Sequence, residues 1–187
     1  MKRIGLSLLL LLLACPPGWA WDLQLGVSRS KPALGAGTQT YEGDSAKVTN
    51  QPIARQTILG DGAILGVKIE EWTLVYATSA WNFVSDFTPE GDNQAARADY
   101  QITETRFGAT WGLERELAGF YLGGGADQFK EQLTYQNEDY LFSTTTPYFN
   151  LGLDLIFGMV RIRADQTHFN AGEHYVKLNS VSFLLDF

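Results

Sequence analysis

Cysteine is almost missing from this chain. Cys15 is the single example, so the chain from Trp21 onward has none. Without cysteine there is no disulfide framework, and stability must come from hydrogen bonding and packing. Helical periodicity is also hard to find, and no low-complexity block or second composition zone follows Trp21. Apolar runs are short: the only long one, Ile4 to Ala14, falls below the ~20 residues that a membrane-spanning helix needs. Positive charge is scarce too. Removing Lys2 and Arg3 with the leader described next leaves 12 of the 14 basic residues against 21 acidic ones, a net −9. That balance argues against nucleic acid as a partner, because phosphate binding needs a basic face.

What is present begins with a leader. Lys2 and Arg3 precede the apolar run, Pro16 and Pro17 end it, and Gly18-Trp19-Ala20 offers small residues where a signal peptidase reads. Residues 1–20 therefore read as a secretory signal peptide, cleaved before Trp21, and residues 21–187 as one exported domain. A lipoprotein reading competes, because Leu12-Leu13-Ala14-Cys15 looks like a lipobox.

The exported part alternates apolar and polar residues with period two. Trp21, Leu23, Leu25 and Val27 interleave with Asp22, Gln24, Gly26 and Ser28. Phe149, Leu151, Leu153, Leu155 and Phe157 interleave with Asn150, Gly152, Asp154 and Ile156. Eight strands follow, at about 21–29, 62–70, 72–84, 99–115, 118–134, 145–157, 159–170 and 174–187. In the third, Trp72, Leu74 and Tyr76 share one parity while Trp81 and Phe83 share the other, which suggests a bulge between them. The links alternate between long and short. Ser30–Gly60, Ser85–Ala98, Gln136–Thr144 and Asn170–Glu173 are the longer, polar set, and all short turns fall at one end of the sheet. A transmembrane barrel sorts its loops in this way, and its sheet must close so that every backbone polar group in lipid is paired.

Alternation alone permits either face to be inside. The polar set includes Lys68, Glu70, Arg106, Glu114, Asp154, Arg161, Arg163 and Asp165, which an eight-stranded lumen would hold as an ion-paired plug. Aromatics lie near strand ends. Trp21, Trp72, Trp111, Phe120, Phe157 and Phe187 are beside the short turns. Trp81, Phe83, Tyr100, Tyr148, Phe169 and Tyr175 are near the long loops, and the two bands read as interfacial girdles.

The leader, strand count, loop asymmetry and the ending Val181-x-Phe183-x-Leu185-x-Phe187 together resemble the small eight-stranded bacterial outer-membrane β-barrels of the OmpA/OmpX/OmpW type. The resemblance covers the whole exported chain and points to no specific member. It implies an all-β, eight-stranded antiparallel up-and-down transmembrane β-barrel in the outer membrane of a Gram-negative bacterium, surrounded by outer-membrane lipid. It also implies that Val181, Phe183, Leu185 and Phe187 act as a signal read by the barrel assembly machinery.

Some barrels of this group are implied to act on lipid A, so chemistry needs testing. The two histidines occur as His168-Phe169-Asn170 and His174-Tyr175-Val176, and neither matches the His-x-Ser pattern of the deacylase barrels. Asp165, Glu173 and Ser143 are the remaining candidates to approach them. Asp44 and Asp92-Asn93 do not form a calcium-binding run, and Gly123-Gly124-Gly125 lies within a strand, so it is no phosphate loop. No cofactor or metal is expected. The reading is a structural or surface-interaction barrel with an unidentified extracellular ligand. The alternatives are a small-molecule conduit and a lipid A-modifying acyl hydrolase.

Overall fold

Successive side chains of a β-strand point to opposite faces, so period-two alternation becomes a sheet with two chemically distinct sides. The computed structural model describes residues 21–34, 39–42, 47–50, 58–87, 96–172 and 174–187. The described residues form ten strands: β1 (Trp21–Leu34), β2 (Gln39–Glu42), β3 (Lys47–Asn50), β4 (Gly60–Ile69), β5 (Trp72–Phe87), β6 (Ala96–Glu114), β7 (Ala118–Tyr135), β8 (Glu138–Phe157), β9 (Val160–Ala171) and β10 (His174–Asp186). All but β2 and β3 follow one another around a closed antiparallel barrel of eight strands, with β10 pairing back onto β1. The seam continues to the last residue. The Phe187 N–H donates to the Leu23 carbonyl at 2.9 Å, and the Leu23 N–H donates to the Phe187 carbonyl at 3.0 Å. Closure leaves the barrel without an unpaired edge. β2 and β3 form a small hairpin that joins the barrel through Glu42 opposite Leu141 of β8.

At one end lie the turns Glu70-Glu71, Arg115–Leu117 and Gly158-Met159, together with Trp21 and Phe187. Gly158 takes φ +61°, the left-handed conformation that glycine adopts at no steric cost. Above these turns, each strand presents three to five apolar residues outward: Leu23, Leu25 and Val27 on β1, Phe107 to Leu113 on β6, Phe149 to Phe157 on β8, Val181 to Leu185 on β10. This belt encircles the barrel. Inward, the same levels hold Gln24, Thr110, Asp154, Arg161, Arg163 and Ser182, all buried.

Toward the other end the polarity inverts. On β7 the outward residues become Gln128, Lys130 and Gln132, while Phe129 and Leu133 are buried inside. On β5 the outward Trp72, Leu74 and Tyr76 give way to Thr78 and Asn82, and Trp81 turns inward. The expected bulge in β5 is therefore not there. Pairing with β4 and with β6 runs unbroken from Trp72 through Ala80, and only the choice of apolar face changes.

The inversion corrects two further expectations. Trp81, Phe83, Tyr100, Tyr148 and Phe169 are not an outer girdle: they pack inside the barrel, and of the expected upper band only Tyr175 faces out. Gln136–Thr144 is not a long link either. β7 and β8 pair as far as Tyr135 opposite Glu138, and the turn is Gln136-Asn137 alone, at φ +51° and +65°. The polar residues read as loop are strands that continue past the belt. Residues 1–20, the Pro89–Asn93 stretch, Asp44 and Glu173 lie outside the described residues.

Candidate functional site

The barrel interior has a charged layer at belt depth and an aromatic layer above it. Register builds the charged layer. Asp154 on β8 stands directly opposite Arg163 on β9, and Arg161 lies two residues nearer the turn. Asp154 accepts from both guanidiniums: from Arg163 Nε at 2.8 Å and Nη2 at 2.9 Å, and from Arg161 Nη1 at 2.7 Å. Arg161 also donates to Glu114 at 2.7 Å and through Nη2 to Asp186 at 2.7 Å, and Lys68 donates to the other oxygen of Glu114. The Arg163 guanidinium lies 4.1 Å from the centre of the Tyr121 ring. Tyr121 has room because Gly152 faces it: a Cβ there would come within 2.6 Å of the ring.

Higher in the lumen, Arg106 is 3.0 Å from Glu104 and donates to the Thr167 hydroxyl. Asp127 is its cross-strand neighbour. The glycines nearby permit close approach. Gly123 and Gly125 point inward, and a Cβ on Gly123 would meet Thr110 and Asn150 at 2.6 and 2.7 Å.

Seven of the eight expected lumen charges face inward: Lys68, Arg106, Glu114, Asp154, Arg161, Arg163 and Asp165. Glu70 does not. It sits exposed in the β4–β5 turn at φ +56°, where the chain reverses before the strand face is re-established. Sequence reasoning missed Glu104 and Asp127 as members. Both carry the lumen parity of their strands, and both could have been found by extending the alternation of Arg106 and of Tyr121.

Above the charges, Trp81, Ile102, Phe129, Tyr148, Phe169, Val176 and Leu178 fill the lumen. The Trp81 indole N–H donates to the Ser30 carbonyl at 3.2 Å. A second cluster caps the first, and at its centre is Tyr41, delivered by the β2–β3 hairpin and packed edge-on against Tyr100 and Phe142. The Tyr41 hydroxyl donates to Glu131 at 2.9 Å. Glu131 lies beyond the belt, between the outward Lys130 and Gln132. Burial pushes its carboxyl up to about 7, while the Tyr41 hydrogen bond works the other way.

Among the described residues, His168 does not assemble with Ser143 or Asp165. His168 points outward, hydrogen-bonded to the Tyr175 hydroxyl and, at 2.8 Å, to Gln166. Asp165 points into the lumen. Ser143 is six residues along β8 from Phe149, the cross-strand partner of His168, a separation of roughly 20 Å. Among the described residues, no three His, Cys, Asp or Glu side chains come close enough to hold a metal ion.

No family model matches the chain, and no curated protein does. Solved structures do. The chain is similar to Neisserial surface protein A, at TM-score 0.60 and 10% identity, over 91% of this chain and 100% of that one. It is similar to the outer membrane protein OprG from Pseudomonas aeruginosa, at TM-score 0.58 and 12% identity, over 90% and 97%. It is also similar to Ail, the attachment invasion locus protein of Yersinia pestis, solved with the heparin analogue sucrose octasulfate, at TM-score 0.56 and 12% identity, over 89% and 97%. The fold is that of the small outer-membrane β-barrels. At such low identity the likeness resides in strand count, pairing and closure. The small-barrel fold accounts for the outward belt and for the filled lumen together, since eight strands enclose just enough space for side chains.

Proposed function

We propose that the chain is an integral outer-membrane barrel of a Gram-negative envelope, and that its role is structural and surface-interacting. The observation that carries the reading is the inversion of polarity along the long strands β5 and β7. Below the inversion the wall suits hydrocarbon outside, and above it the wall suits water. The strands that continue past the belt and the β2–β3 hairpin form a projecting head on a rigid wall, where recognition commonly resides. That Ail, a barrel of the same fold, was solved with a heparin analogue supports surface binding on such a scaffold.

A conduit is disfavoured by two seals in series, the Arg161–Asp154–Arg163 layer and the Trp81 cluster. A lipid A acyl hydrolase is disfavoured by His168, whose ring nitrogens are engaged by Tyr175 and Gln166 rather than by a serine and a carboxylate. Membrane fractionation with heat-modifiable gel migration tests the first part of the proposal: the folded chain should partition with outer membranes and shift mobility on boiling. Deleting residues 34–56 tests the second. Surface phenotypes such as attachment should fall while the barrel still assembles, and unchanged phenotypes would remove the surface role.

A further inference from the structure

On the outer wall, β10, β1 and β4 enclose a cleft of about 740 Å³ whose chemistry changes from floor to rim. Its floor is Val27, Val181 and Phe183, at the top of the apolar belt, with Leu59 on the far side. Its rim carries Arg29 and Lys31, the first two outward positions above Val27 on β1. Lys31 stands opposite Asn179, and Lys177 is the next outward residue along β10. Diagonal neighbours of this kind are ~7–8 Å apart, so two lysine side chains can converge on one group between them.

The charges at this rim are unusual for the molecule. In an acidic chain, the first outward polar positions on the other strands are Thr78, Thr105, Gln128, Thr145 and Gln166, so only β1 has a cation there. One position higher, Lys31 and Lys177 stand on adjacent strands, whereas Lys130 on β7 is flanked by Thr103 and Ser143. Arg29 is committed to Asp61 at 3.2 Å, which cancels the acidic side chain of the cleft. Among the described residues, neither Lys31 nor Lys177 has an ion-pair or hydrogen-bond partner. Two unpaired ammonium groups therefore stand at one edge of an apolar cleft just above the belt, Lys31 in its lining and Lys177 next to the lining residue Asn179 along the outer face of β10.

We infer that this cleft binds one acyl lipid with a phosphate headgroup, from the membrane leaflet on the side of the projecting head. The acyl chain lies along Val27, Val181 and Phe183, and Lys31 and Lys177 hold the phosphate. The inference rests on the membrane reading of the belt, and it adds a specific lipid to a wall that otherwise needs only hydrocarbon.

The test uses the purified mature chain. Native mass spectrometry compares dimyristoyl phosphatidic acid with dimyristoyl phosphatidylcholine, on wild type and on Lys31→Gln/Lys177→Gln. Wild type should retain one phosphatidic acid in preference to phosphatidylcholine. At about 1 kcal/mol per cation near a lipid headgroup, the double variant should bind it about thirtyfold more weakly, with phosphatidylcholine unaffected. Equal retention by both proteins, or no preference between the lipids, would overturn the assignment. So would full displacement by inorganic phosphate at low millimolar concentration, which would make this an anion site without a lipid. Flotation with liposomes separates the two levels of the argument. Wild type that floats yet shows no lipid preference refutes only the cleft, whereas wild type that fails to float refutes the membrane reading beneath it. Heat-modifiable migration establishes that the variant is folded.

Discussion

Asp154→Asn isolates the charged layer with almost no change in shape. Asp154 is 3% exposed and is shared by Arg161 and Arg163, which are 2% and 5% exposed. Arg161 keeps Glu114 and Asp186 after the change, whereas Arg163 keeps only the Tyr121 ring and the more distant Asp165. The cost is therefore that of leaving one guanidinium buried without its bidentate partner, about 3–5 kcal/mol. Urea unfolding of the barrel in lipid vesicles, followed by tryptophan fluorescence and by loss of the heat-modifiable band, measures it. Arg163→Met supplies the other arm of a cycle. In the double variant neither charge is stranded, so it should be more stable than the sum of the singles by up to ~3 kcal/mol. The exposed pair Arg29–Asp61, with side chains 65% and 81% exposed, serves as the control, and disrupting it should cost no more than ~1 kcal/mol. If Asp154→Asn unfolded within ~0.5 kcal/mol of wild type, the layer would not be the dry ion-paired plug described above.

Other perturbations follow from the same geometry. Gly152→Val should displace the Tyr121 ring and cost ~1–3 kcal/mol or more in the same unfolding assay. Wild type, Trp81→Ala, and the triple change of Arg106, Arg161 and Arg163 to Ala should all give no steady current in planar bilayers, since each variant retains one of the two seals. Burial raises the Glu131 carboxyl to about 7 from an ordinary value near 4.5, so the folded head binds its proton more tightly than the unfolded chain does. The contribution of Glu131 to stability should thus be fullest below pH ~4.5 and be lost as pH rises through ~7, and hydrogen exchange around Tyr41 should lose this dependence in Glu131→Gln. Phe187→Asp should lower the amount of barrel assembled in the outer membrane, and normal levels by quantitative blotting would remove the proposed assembly role of Val181, Phe183, Leu185 and Phe187.

The parts of the fold that were legible in the sequence are those where one face meets hydrocarbon. There the outward side must be uniformly apolar, and Phe149, Leu151, Leu153, Leu155 and Phe157 announce β8 without help. Past the belt that constraint is lifted, and the two faces of one strand can exchange roles. Glu138 to Thr144 then reads as loop, because its outward Asp139 and Ser143 are polar and its inward Glu138 and Thr144 are polar as well. Trp81 and Phe83 looked like a register error for the same reason. Within the lumen, single-strand alternation identified Arg161, Arg163 and Asp154 as co-facial. It could not supply Glu114 as a partner of Arg161, because that contact crosses the barrel from β6, and it left open Asp186, whose contact depends on the register that sets Leu184 of β10 opposite Arg161. Tyr41 was beyond reach altogether: its burial depends on how the β2–β3 hairpin folds back over the mouth.

The inversion also explains why the polar layer is charged rather than merely polar. At belt depth the only penalty against sliding a strand by one residue is the exchange of its faces. If the lumen were apolar there, both faces of β8 and β9 would be apolar, and a slip would go unpunished. With Arg161, Arg163 and Asp154 inside, the same slip would carry two guanidiniums and a carboxylate into hydrocarbon, at several kcal/mol. Above the belt the outside is water and the inside is Trp81, Phe129 and Leu133, so a slip would expose large apolar side chains instead. Register is therefore enforced on β8 and β9 by charge at belt depth, and on β5 and β7 by the hydrophobic effect above it. The crossover falls where Val27, Ala126 and Val181 give way to Arg29, Gln128 and Asn179.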